Sequence, residues 1–174
     1  MQTKQEILRD HLIKYFEDDG AMRTLSNVLL DGHLSLRLID YFVCTYSKIF
    51  NVSYKVDTSV FNVFIAYKSI LKGYNKKYFD CFCRGKDRME ITSHTHGKTI
   101  VTTVGQLHFF AWASKHKVID YVKEHMHEIE QHMVDSFQRK KVHTKTSTRK
   151  KYTVQASNQK GITATRVQLL LNFE

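Results

Sequence analysis

Apolar positions recur at helical spacing from the start of the chain. Thr3-x-x-Glu6 has the form of a capping box, Ile7, Leu8, Leu12, Tyr15 and Phe16 follow it, and Asp18-Asp19-Gly20 ends the run, so a first helix is predicted there. A second helical stretch over 21–30 breaks at Asp31-Gly32, and Leu34, Leu38, Phe42, Val43, Tyr46 and Ile49 then make another apolar stripe. Val52, Tyr54 and Val56 alternate as in a short strand. Residues 61–74 fit two periods, Phe61, Val63 and Ile65 for a strand and Tyr67, Ile70, Leu71 and Tyr74 for a helix, and the reading is strand, then helix.

Two β-prone runs, 89–93 and 98–103, flank His94-Thr95-His96-Gly97 and predict a hairpin. Thr103-x-x-Gln106 repeats the capping-box pattern before Leu107, Phe110 and Trp112. Val118, Val122, His125, Ile129, Met133 and Phe137 lie on one face of a long amphipathic helix. Past Gln138 that face disappears, and residues 138–151 read as an exposed basic arm. A turn at Asn158-Gln159-Lys160-Gly161 then separates two runs of a terminal hairpin, with Val167, Leu169, Leu171 and Phe173 on one side. The pattern as a whole predicts one α+β domain over 1–174. It has N-terminal helices, a small mixed or antiparallel sheet that includes the C-terminal hairpin, and one long amphipathic helix.

Length and composition narrow the class. In 174 residues, 42% hydrophobic and 12% aromatic, there is enough apolar material for one core, which excludes a wholly disordered basic protein. No apolar run approaches the roughly 20 residues of a membrane span, and the polar start does not read as a signal peptide. Three cysteines, Cys44, Cys81 and Cys83, are too few and too irregular for a disulfide framework. A soluble protein of a reducing compartment is expected.

Charge changes the picture most. The formal net charge is +10, and from Ser136 to Phe173 there is no Asp or Glu. That stretch carries nine Lys or Arg against Glu174 alone beyond it, so eight of the ten net charges fall in the last 39 residues. Such a segment repels itself unless a polyanion neutralises it, and nucleic acid, DNA or RNA, is the partner this suggests. The expected contacts in the arm are Arg139, Lys140, Lys141, Lys145, Arg149, Lys150 and Lys151.

A second cluster, 74–88, interleaves Tyr74, Tyr78, Phe79 and Phe82 with Lys76, Lys77, Arg84, Lys86 and Arg88. Rings can stack on unpaired bases while cations follow the backbone, although large aromatics are by default buried. Cys81-x-Cys83 and His94-x-His96 are weak zinc candidates, because their spacing departs from that of common zinc sites, and no cofactor is expected. Asp80, Asp87 and Glu90 are the candidates for a metal-dependent nuclease centre, but no further element of such a core follows them. No phosphate-binding loop, nucleophile elbow or zinc-peptidase helix is present.

Four strings carry a resemblance: Ser35-Leu36-Arg37-Leu38-Ile39-Asp40-Tyr41-Phe42-Val43, the segment 61–69, Lys77-Tyr78-Phe79-Asp80-Cys81-Phe82-Cys83-Arg84, and the segment 102–113. Together with 149–174 they resemble an uncharacterised protein family of nucleocytoplasmic large DNA viruses. The resemblance implies a viral setting, either a cytoplasmic replication or assembly site in the host or the virion itself. The expected function is non-enzymatic nucleic-acid binding through phosphate contacts, in genome packaging or viral gene expression. The alternatives are a minor capsid or assembly protein, with viral structural proteins as partners, and a metal-dependent nuclease.

Overall fold

The computed structural model describes residues 2–92, 97 and 99–146, with side chains as far as Arg139. His94, His96, Arg149, Lys150, Lys151 and the terminal hairpin expected over 152–173 lie outside the described residues. Helix α1 (Lys4–Tyr15) starts at the capping box that the sequence announced. Thr3 Oγ1 accepts the Glu6 N–H at 3.3 Å and the Glu6 carboxylate accepts the Thr3 N–H at 2.8 Å. Helix α2 (Asp19–Leu29) is capped by Asp18, which accepts from Ala21 N, and buries Ala21, Met22, Leu25 and Val28.

Ser35 caps helix α3 (Leu36–Tyr41), which runs into one π-helical turn, Phe42–Tyr46, and a last short turn α4 (Ser47–Ile49). Strands β1 (Ser53–Val56) and β2 (Ser59–Asn62) form an antiparallel hairpin with Tyr54 opposite Phe61. The double period of 61–74 resolves at Asn62, whose side chain accepts from Ile65 N at 3.0 Å and opens helix α5 (Val63–Tyr74). Val63 and Ile65 are therefore helical, not strand, because an N-cap ends the extended conformation one residue before them. A second hairpin pairs β3 (Arg88–Thr92) with β4 (Thr99–Thr103), Ile91 facing Ile100.

Helix α6 (Val104–Lys115) is buried almost all round, with Gly105, Gln106, Leu107, Phe109, Phe110, Trp112 and Ala113 all inaccessible. A helix apolar on every side belongs in the middle of a core. Phe79, Tyr67 and Phe61 pack their rings around Trp112. Half of the second capping box is used elsewhere. Thr103 Oγ1 does accept Gln106 N, but the Gln106 amide turns inward, accepting from Thr102 Oγ1 and donating to Cys81 O, both at 2.9 Å.

The single long helix expected over 118–137 is interrupted at His125, giving α7 (Val118–Glu124) and α8 (Met126–Thr146). His125 N donates to Tyr121 O and the His125 carbonyl accepts from Ile129 N, so His125 closes the first helix and supplies the first acceptor of the second. Helix α8 also overruns the boundary drawn at Gln138. Residues 139–146, expected as the first half of an exposed arm, continue the helix. Arg139, Lys140, Lys141 and Lys145 are good helix formers and the stretch holds no Gly or Pro, so a nucleated helix propagates through Val142, His143, Thr144 and Thr146 as well. The fold is α+β and, among the described residues, mostly helical with two small antiparallel hairpins.

Candidate nucleic-acid interface

Residues 75–87 join α5 to β3 and carry the cluster of rings and cations. Their path is fixed by the first turns of α6. A Cβ added at Gly105 would stand 2.6 Å from Lys77 O, closer than any real contact, and Asp80 N donates to Gly105 O at 3.1 Å. Only glycine allows that approach. Gln106 holds Cys81 O, and His108 Nδ1–H donates to Tyr78 O at 2.9 Å. A carbonyl can only accept, so Nδ1 carries a proton, and burial lowers the His108 pKa from the ordinary histidine value, partly offset by the bond to Tyr78 O. Asn75 adds a local turn at positive φ, its side chain accepting from Lys77 N.

Fixed in this way, the segment sorts its side chains. Phe79 and Cys81 point into the core at 1% exposure each, while Tyr78 and Phe82 stay half-buried at the surface. Phe79 is thus a core ring and not a stacking candidate, as its size would favour by default. Lys76, Lys77 and Arg84 converge on one cleft of about 280 Å³, which Phe82, Asp80, Gly85 and Thr103 complete. Arg84 makes two 2.7 Å bonds to the Asp80 carboxylate and lies 4.6 Å over the Phe82 ring. Lys86 and Arg88 are exposed on the following residues, outside the cleft lining.

Two more hollows continue this surface. One of about 200 Å³ is lined by Lys4, Leu8, Gly73, Tyr74, Asn75 and Tyr78. The other, about 620 Å³, shares Leu8 and Tyr74 with it and reaches between α1, α5 and α6 to His11, His108, Trp112 and His116. The sequence pointed to the basic 74–88 segment but not to Lys4, His11, Lys115 or Thr103, which come from distant parts of the chain. No local pattern marks them, since their proximity is created by packing.

The other sequence candidates fall apart or fall outside. Cys81 and Cys83 lie on an irregular segment, not on a strand, and do not face the same way: the Cys81 thiol is buried against Leu36 O and Cys83 is half-exposed. Burial raises the Cys81 pKa and raises Cys44 to about 11, which opposes the thiolate that a metal or a nucleophilic reaction requires. Among the described residues no three or more His, Cys, Asp or Glu are grouped to hold a metal ion. Asp80 is engaged by Arg84, Asp87 by Lys77 at 3.6 Å, and Glu90 is exposed on β3, so these carboxylates serve separate partners. In the arm, Arg139 is exposed near the end of α8 with Nε 3.4 Å from Asp135 O, and the backbone of Lys140, Lys141 and Lys145 lies in the same helix.

Fold and site together define a mostly helical α+β protein whose basic, ring-bearing connection sits on the first turns of a central helix. The chain belongs to the family of unknown function DUF7197, matched over residues 1–167. Among its relatives is the uncharacterized protein L507 of Acanthamoeba polyphaga mimivirus, 34% identical over 149 residues. The match takes in 80% of this chain and spans 58% of the relative's length. The viral family expected from the four strings is the one found. No solved structure matches the chain.

Proposed function

We infer that the protein binds nucleic acid without catalysis, chiefly through phosphate contacts, in the packaging or expression of a viral genome. The observation that carries this reading is the charge distribution. Eight of ten net charges sit in the last 39 residues, and three further cations converge on one cleft. Cations so concentrated repel each other when alone and release counterions when they meet a polyphosphate backbone. Lys140, Lys141, Lys145, Arg149, Lys150 and Lys151 would supply most of the sequence-independent affinity. Lys76, Lys77 and Arg84 would form a second contact, with Lys86 and Arg88 at its margin. The setting would be a cytoplasmic site of viral replication or the virion.

A salt titration tests the reading. If about five phosphates are neutralised, log K against log[salt] for duplex DNA slopes near −4 to −5. Replacing Lys140, Lys141, Lys150 and Lys151 by Gln should weaken binding to every sequence alike and reduce the slope. A flat plot, or no binding at low salt, would abandon nucleic acid in favour of a capsid or assembly role.

A further inference from the structure

Three hollows take in residues of the 73–85 segment, two of them sharing Leu8 and Tyr74, and the rings of that segment recur regularly along the sequence. Tyr74, Tyr78 and Phe82 follow one another at four-residue intervals, each half-buried with part of its ring at the surface. Each also has a cation over its face: Lys4 Nζ at 4.8 Å from Tyr74, Lys77 Nζ at 5.3 Å from Tyr78, Arg84 Cζ at 4.6 Å from Phe82. The lining of the series holds five Lys or Arg and a single carboxylate, Asp80, which Arg84 already binds. Cations lie over rings elsewhere as well, Arg37 over Phe137 and Lys48 and Lys68 over Phe64, but on this segment three rings in a row carry one beside hollows of about 200, 280 and 620 Å³.

We propose that this track binds single-stranded nucleic acid, with unpaired bases on Tyr74, Tyr78 and Phe82 and the phosphates between them on Lys4, Lys76 and Lys77. The inference rests on the nucleic-acid reading above and narrows it to one kind of strand. A duplex keeps its bases stacked on each other and offers such a surface phosphates alone, whereas an unpaired strand offers flat faces at each step. The lysines over Tyr74 and Tyr78 are on flexible stems, so they can swing from ring to phosphate as a base arrives. An acidic protein segment would match the charge but offers a flat ring only where it carries an aromatic side chain, whereas a single strand offers one at every nucleotide.

The test compares two probes on the full chain: a labelled oligothymidylate of about 15 nucleotides and a duplex of similar length. Tyr74→Leu, Tyr78→Leu and Phe82→Leu keep apolar bulk and remove the aromatic face. Each should weaken single-strand binding about 5- to 100-fold and leave duplex binding within about twofold. Lys4→Gln with Lys76→Gln, both exposed and far from the core, serves as the pair that cannot fail through misfolding, and it too should cost single-strand affinity more than duplex affinity. If both probes bind equally and the ring variants change neither, the track is overturned while the phosphate reading stands. If neither probe binds at low salt, the phosphate reading itself fails. If polyglutamate displaces the oligonucleotide as well as unlabelled strand does, with the same dependence on the three rings, the track belongs to an acidic protein partner and the inference is lost.

Discussion

Gly105 is the residue on which the candidate interface turns. Its missing side chain lets Lys77 O approach to where a Cβ would be 2.6 Å away, against backbone that cannot yield cheaply. Gly105→Ala should therefore destabilise the protein by about 1–3 kcal/mol, the usual cost of overpacking, and shift the 75–87 segment, which a thermal melt and a binding titration would register together. The neighbouring histidines set a pH dependence. His108 and His116 both titrate below the ordinary histidine value, foremost because burial penalises the imidazolium, with Lys115 adding to the effect on His116. A lowered folded-state pKa means that the unfolded chain takes up protons first as the pH falls. Stability from these groups is then complete above the unfolded value of about 6.5 and is lost as the pH drops through the folded values. The melting temperature should fall from pH 7 toward pH 5, and His108→Asn with His116→Gln should flatten that fall. An unchanged slope in the double variant would assign it to other groups.

Helix α8 is attached to the N-terminal part of the molecule by a compact set of contacts. Tyr41 Oη lies 2.8 Å from His132 Nδ1 and 2.9 Å from Ser136 Oγ, and Arg37 stacks 4.7 Å from the Phe137 ring. Because His132 and Ser136 are only half-buried, water can replace the lost hydroxyl in Tyr41→Phe, and the cost should stay near 1 kcal/mol. Chemical denaturation would measure it, and a loss above about 3 kcal/mol would mean that α8 docks through this one group. The same helix marks how far the sequence could be read. Its apolar positions Ile129, Met133 and Phe137 were legible from spacing, as were the helices opened by Thr3 and Thr103, because caps and periodicity are local signals; the helix opened by Asn62 was read too late, since Phe61, Val63 and Ile65 also fit a strand. The interruption at His125 was not legible, since neither Gly nor Pro accompanies it. The overrun to Thr146 was missed because an amphipathic pattern reports burial, and a helix already nucleated can continue through a Lys- and Arg-rich stretch that buries no face. The basic segment 74–88 was legible as composition, but which of its rings would turn outward depended on Gly105, Gln106 and His108, some 25 to 30 residues away.

At the scale of the molecule, positive charge and hydrophobic core divide the chain between them. Among the described residues the thirty buried apolar ones, from Leu12 to Ile129, form one cluster around α6, while most of the net charge lies beyond Ser136. The ring-bearing segment is the exception: it is basic, yet it is seated on the central helix through Gly105, Gln106 and His108. That seating ties occupancy to melting. A ligand held by the segment would be released only when α6 loses its partners, so bound and unbound forms should differ in stability by RT ln(1 + [L]/Kd), about 2.7 kcal/mol at a hundredfold excess over Kd. For a protein of this size each kcal/mol corresponds to roughly 2–4 °C. Simple thermal-shift measurements across oligonucleotides and small anions, repeated on the Tyr78→Leu variant, can thus report whether a compound engages this segment, before any complex is seen.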